Sequence, residues 1–150
     1  MVLKLPPFLV FLIFAGFMYL LSFFLPVGYF DFFGRLLMVK IFIALGILIS
    51  LIALLQFYLK KTSIDPSKPS KTAVLVTNGI YNYTRNPMYL SMLLLLLAWG
   101  MCLGNAFNLL FAAGFVAYMN RFQIIPEETA LRIKFGQIYD QYLVKVRRWF

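Results

Sequence analysis

Four long apolar stretches, at 8–25, 36–59, 88–104 and 106–125, constrain this chain more than anything else in it. A bilayer core takes about 20 apolar residues of helix to cross. Inside lipid every backbone N–H and C=O has to be satisfied within the chain, so such stretches become helices unless they close a barrel. Hydrophobic residues make up 63% of the sequence, against about half in a soluble domain. The expectation is an all-α integral membrane protein with four transmembrane helices plus a C-terminal amphipathic cytoplasmic helix. All 150 residues then form a single membrane domain. The first stretch stays bulky and aromatic to its end, and no small-x-small cleavage pattern follows, so it reads as a retained span rather than a signal peptide. Leu103-Gly104-Asn105 is the only break between the last two stretches, which predicts a tight helical hairpin.

Charge orients these spans. The formal net charge is +9, but the cations flank apolar segments, so they read as topology signals and headgroup contacts rather than a nucleic-acid surface. The middle loop holds Lys60, Lys61, Lys68, Lys71 and Arg85. The C-terminal part holds Arg121, Arg132, Lys134, Lys145, Arg147 and Arg148, and the turn after the third span holds no Lys or Arg. The positive-inside rule then places the middle loop and both termini in the cytoplasm. Asp65, Pro66 and Pro69 are expected to shape the middle loop, and Gly46, Gly100 and Gly114 to mark close helix contacts. There is no histidine and one cysteine, Cys102. An intrachain disulfide is impossible and a protein metal site is not expected.

Chemistry-bearing residues concentrate in two places. One is the run 76–90, VTNGIYNYTRNPMYL, which leads straight into the third span. Asn86 before Pro87 reads first as an N-cap and a first helical residue. The other is Glu127-Glu128, directly after Pro126, where acids in a first helical turn suit the helix dipole. Only five acidic residues exist, and these two fall on the same membrane face as Arg85. From 127 to 146, Leu131, Phe135, Ile138, Tyr142 and Val146 recur at helical spacing, which predicts one amphipathic helix along the surface. Arg147 and Arg148 with Trp149 and Phe150 read first as an interfacial anchor.

Taken together, Thr77, Gly79, Tyr81, Arg85-Asn86-Pro87 and Tyr89, then Glu127-Glu128, Phe135-Gly136, Tyr139, Tyr142 and Arg147-Arg148, resemble the isoprenylcysteine carboxyl methyltransferase family. The related membrane phospholipid methyltransferases share this layout. The resemblance covers roughly 65–150. It implies S-adenosyl-L-methionine as cofactor, held by Thr77, Gly79, Tyr81, Arg85, Pro87, Tyr89, Glu127, Glu128, Tyr139 and Tyr142, with no metal. It also implies catalytic roles for Arg85, Asn86, Tyr89 and Arg147. One position differs: the prenylcysteine enzymes typically read Arg-His-Pro where this chain has Arg85-Asn86-Pro87. Asparagine can hydrogen-bond but cannot shuttle a proton. Of the two glutamates, Glu128 falls nearer the centre of the apolar stripe and is expected to contact the cofactor, with Glu127 supporting the helix start.

The implied enzyme methylates a lipophilic acceptor drawn from the bilayer, a carboxylate such as a prenylcysteine-like group. A phospholipid, or another amine or thiol, is the alternative acceptor. Two non-enzyme readings compete, a four-span carrier and an accessory membrane subunit. A carrier usually needs an ionisable group within its spans, and no acidic residue lies there. Neither rival explains the Tyr-Arg-Pro and Glu-Glu pairing. The sequence leaves the oligomeric state open.

Overall fold

The computed structural model describes residues 5–60 and 74–150. Among them six α-helices follow in order: α1 (Pro7–Phe24), α2 (Arg35–Leu59), α3 (Pro87–Leu103), α4 (Asn108–Met119), α5 (Ile125–Phe135) and α6 (Gln137–Lys145). A short 3-10 turn spans Gly79–Asn82 and a π-helical turn spans Asn120–Ile124. The described residues contain no β-strand beyond one isolated bridge between Tyr29 and Asn105. The loop at 61–73, with the expected turn formers Asp65, Pro66 and Pro69, lies outside the described residues.

Among the described residues three helices are long and apolar enough to cross a membrane: Pro7–Phe24, Arg35–Leu59 and Asn108–Phe135, the last running through the π turn. Helices of this length and apolarity are those of an integral membrane protein. Helix α3 is a shorter apolar helix of 17 residues, about 25 Å at 1.5 Å per residue.

Contacts between helix ends fix how the chain runs. Gln123 Nε2 donates to Leu5 O at 2.6 Å, so α1 begins beside the end of the π turn. Asn105 Nδ2 donates to Leu25 O at 3.0 Å, so α1 ends beside the start of α4. Arg35 Nη1 donates to Met101 O at 3.2 Å, which sets the start of α2 against the end of α3. Gln56, near the end of α2, holds Asn78 and Ile80 just before α3. The four helices therefore run alternately up and down, and α3 packs against α1, α2 and α4. Val10, Met18, Tyr89, Leu96, Phe115, Met119 and Ile124 form the core between them.

The hairpin expected at Leu103-Gly104-Asn105 is present. Gly104 ends α3 with φ 70°, a left-handed value that suits glycine. Asn105 Oδ1 then accepts from Phe107 N at 3.0 Å and starts the return. The close-contact glycines also hold. A Cβ on Gly46 would lie 3.1 Å from Leu95 Cγ and 3.2 Å from Ser91 O. The Ser50 and Ser91 hydroxyls, 2.7 Å apart, tie the same two helices together. Gly46→Ala should lower stability by about 1–2 kcal/mol, because a backbone oxygen cannot move aside as a side chain would. Thermal unfolding in detergent checks this, and an unchanged midpoint would mean that α2 and α3 do not meet this closely.

The C-terminal third departs from expectation. A new helix beginning at Pro126 is not what forms. The helix runs on through that residue, and the π turn at Asn120–Ile124 lies directly before it. Proline removes one N–H and its ring crowds the carbonyl four residues earlier; a turn with wider hydrogen bonding absorbs that misfit. The single helix expected over 127–146 is instead two helices, broken at Gly136, where φ is 55° and ψ is −129°. Such a pair is open essentially to glycine alone. The break also re-aims the apolar face. Tyr139, Tyr142 and Val146 are buried, while Ile138 is exposed. Arg132 Nε reaches Asp140 Oδ1 at 2.6 Å across the break.

Candidate active site

The end of the bundle where α3 begins gathers charge from three parts of the chain. Pro87 occupies the first turn of α3, as its fixed φ and missing N–H suit. Asn86 stands at the N-cap position, but its side chain does not cap the helix. Asn86 Nδ2 instead donates to Arg148 O at 2.9 Å. Thr84 Oγ1 accepts from Asn86 N at 3.2 Å, a side-chain turn just ahead of the helix. Arg85 N donates to Arg147 O at 3.0 Å. Residues 84–86 thus hold 147–148 largely through backbone carbonyls, and Trp149 Nε1 adds a bond to Asn120 Oδ1 in the π turn at 3.0 Å.

Around that scaffold lies an ion cluster. Glu128 is shared by two guanidinium groups. Arg85 Nη2 sits 3.1 Å from Oε1. Arg148 grips both oxygens, Nε at 3.1 Å and Nη2 at 2.7 Å. This paired fork is the strong form of arginine–carboxylate contact, and it raises the Arg148 guanidinium above its ordinary value. Glu127 Oε2 accepts from the Tyr89 hydroxyl at 3.1 Å. Arg85 Nε is buried and has no hydrogen-bond partner among the described residues.

An aromatic layer backs the charges. Tyr81, Tyr139 and Tyr142 are buried with Val76 and Val146, and Phe57 and Phe135 pack against them. The Tyr142 hydroxyl donates to Tyr81 O at 2.7 Å, which joins α6 to the 3-10 turn. Burial drives all three phenols well above their ordinary value of 10.0. The Glu128 charge pushes Tyr139 up further, and Glu127 does the same for Tyr81. The phenols therefore stay protonated at neutral pH, where none supplies a phenolate base.

Most of the sequence-selected residues meet here: Tyr81, Arg85, Asn86, Pro87, Tyr89, Glu127, Glu128, Tyr139 and Tyr142. Gly79 serves differently. A Cβ there would collide with the Gln56 side chain, whose Oε1 accepts from Ile80 N at 3.2 Å. Its bareness lets the turn lie against α2. Thr77 is half-buried in the strand of chain leading to that turn. Arg147 exposes its side chain and contributes its carbonyl. The guanidinium in the cluster belongs to Arg148, which sequence reasoning left among the anchors. The available signal was stoichiometric: two adjacent glutamates facing a single arginine leave a negative charge without a partner.

A family model described as phospholipid methyltransferase matches residues 34–138. The chain belongs to that family. Protein-S-isoprenylcysteine O-methyltransferase of Schizosaccharomyces pombe is 36% identical over 106 residues, 70% of this chain and 44% of that enzyme. The chain thus spans under half of that relative's length. An uncharacterized protein of Haemophilus influenzae is 53% identical over 62 residues, 41% of this chain and 98% of that protein. No solved structure matches. The family segment contains Arg85, Tyr89 and Glu127-Glu128, while Arg148 lies beyond it. The family is one of membrane methyltransferases, in keeping with the resemblance read from the motifs.

Proposed function

We propose that the protein is an S-adenosyl-L-methionine-dependent methyltransferase that methylates a carboxylate on a lipophilic acceptor, of the prenylcysteine-like kind. The observation that carries this reading is the Arg85–Glu128–Arg148 cluster, backed by buried tyrosines at one end of an apolar bundle. Two guanidiniums converge on Glu128 there while Glu127 is turned to the Tyr89 hydroxyl, so an incoming carboxylate meets two arginine side chains rather than one. Arg85 Nε is a buried donor that no described residue uses. These residues fit the cofactor: Arg85 or Arg148 for its carboxylate, Glu127 for hydroxyl or ammonium groups, and tyrosine faces for a cation. When bound, the cofactor supplies an electrophilic methyl group on a sulfonium whose charge is cancelled as an anion attacks.

The acceptor class follows from which bases the site lacks. A carboxylate is already ionised at neutral pH, whereas an amine must first lose a proton. No histidine exists, the three buried phenols are held protonated, Glu128 is committed to arginines, and Glu127 accepts from the Tyr89 hydroxyl. Asn86 positions Arg148 through its carbonyl rather than moving a proton. The S. pombe relative's name also specifies O-methylation of an isoprenylcysteine. Whichever of Arg85 and Arg148 does not hold the cofactor's carboxylate orients the acceptor anion, and the apolar bundle below keeps water from the reacting atoms. A phospholipid amine remains the second reading, favoured by the family model's own description.

The purified protein in detergent should bind S-adenosyl-L-methionine or its demethylated product in calorimetry, with no loss on adding a chelator. With labelled cofactor it should methylate a prenylated cysteine analogue and not its methyl ester. Failure of folded protein to bind either cofactor form would remove the enzyme reading. Methylation of an ethanolamine lipid instead would move the acceptor to the amine class.

The site is proposed to face the cytoplasm, with four spans and both termini on that side. Support comes from the basic segments at 60–71 and 121–148. The alternating course of α1 to α4 supports it too, with α3 as the fourth crossing. Reporter fusions after Pro69 and after Phe150 should both report cytoplasm, and one at Asn105 the opposite side. A fusion after Phe150 that reports the far side would overturn this orientation.

A further inference from the structure

A cavity of about 260 Å³ lies at the opposite end of the bundle from Glu128, between α1, the end of α3 and the start of α4. Met18, Leu97, Met101 and Leu109 give it an apolar wall, and Asn105 and Asn108 lie among them. Its volume falls just below the roughly 300 Å³ at which pockets begin to enclose drug-sized molecules. It suits a single short chain.

The two asparagines differ in one respect. Asn105 uses both ends of its carboxamide, donating to Leu25 O and accepting from Phe107 N, each at 3.0 Å. Asn108 is 1% exposed and uses one end, with Nδ2 donating to Ser22 Oγ at 3.0 Å. Its Oδ1 is buried with no hydrogen-bond partner among the described residues. Turning the carboxamide over does not cure this. Ser22 would then donate to the oxygen, and the N–H groups would be left over instead. Either way a polar group stays unsatisfied beside an apolar cavity, which native proteins avoid.

Water is a poor remedy, since a buried water needs about two to four polar partners. With Asn105 already satisfied, the cavity offers mainly Asn108. A hydroxyl on an apolar chain fits better. The hydroxyl both donates and accepts, so it pairs with Asn108 in either orientation, while the chain covers the apolar wall that water cannot. We propose that this cavity binds the hydroxyl-bearing end of an apolar chain of a membrane alcohol, with Asn108 as its polar anchor. This site is separate from the Glu128 cluster, and nothing in its argument depends on methyl transfer.

Photolabelling of the full chain in phosphatidylcholine nanodiscs with a diazirine-bearing octanol tests it. Adducts mapped by mass spectrometry should concentrate in 97–109 and fall when unlabelled octanol is added. A diazirine-bearing octane should show no such competable labelling. Asn108→Leu should lower the alcohol's competable labelling about fivefold, the size of one neutral hydrogen bond. Should that variant fail to fold, Leu97→Trp, which fills the cavity from its wall, should abolish the adducts in folded protein. Adducts that are absent, that resist competition, or that survive Leu97→Trp overturn the proposal. A cavity holding only water gives the first of these results.

Discussion

Glu128→Gln should disarm the site and loosen the fold at once. The carboxylate is the shared counter-ion of Arg85 and Arg148, at 3.1 and 2.7 Å. Glutamine keeps the shape but leaves two guanidiniums close together with no anion between them. Removing one member of a well-buried pair costs about 3–5 kcal/mol. Arg148 is a third exposed and Glu128 17% exposed, so solvent screening brings the expected loss to about 2–4 kcal/mol. Cofactor affinity should collapse with it. Glu127→Gln is the comparison. Its amide oxygen still accepts from the Tyr89 hydroxyl, so the cost should stay near or below about 1 kcal/mol. Thermal unfolding with and without cofactor measures both. If the two variants lose equal stability and keep equal affinity, Glu128 is not the centre of the cluster.

Arg148 and Arg147 should separate just as sharply. Arg148→Ala removes the two-pronged contact to Glu128. Methyl transfer should then fall about thirtyfold to a hundredfold, the worth of charge-assisted hydrogen bonds of this kind. Arg148→Lys should recover little, because an ammonium cannot reproduce the planar fork. Arg147→Ala should stay within about twofold, since its carbonyl makes the contact with Arg85 N and alanine keeps that carbonyl. Turnover of the same folded variants in detergent decides it. An Arg147→Ala variant as impaired as Arg148→Ala would move the catalytic cation one residue back.

The parts legible from sequence are those written in local pattern. Apolar runs gave the helices, Leu103-Gly104-Asn105 the hairpin, and scarcity of acids drew attention to Glu127-Glu128. The parts missed depend on side chains that meet across long separations. Asn86 looks like a cap because Asn-Pro is a common helix opening; only the return of Arg148, 62 residues on, gives its amide another partner. Pro126 looks like a helix start because proline inside a helix is costly, and a π turn that absorbs it has no distinct residue signature. Gly136 was noted as part of a motif, yet the even spacing of Leu131, Phe135, Ile138 and Tyr142 masked the break it makes.

That break has a stereochemical consequence. The dihedral pair at Gly136, φ 55° and ψ −129°, is the mirror image of an ordinary extended L-residue. The direction of α6, and with it the placement of Tyr139 and Tyr142, rests on the one amino acid that has no handedness. Any L side chain there would have to turn the following helix away from the tyrosine layer. A D-alanine, introduced by joining a synthetic C-terminal peptide, would accept the native backbone as it stands and narrow the unfolded chain's freedom.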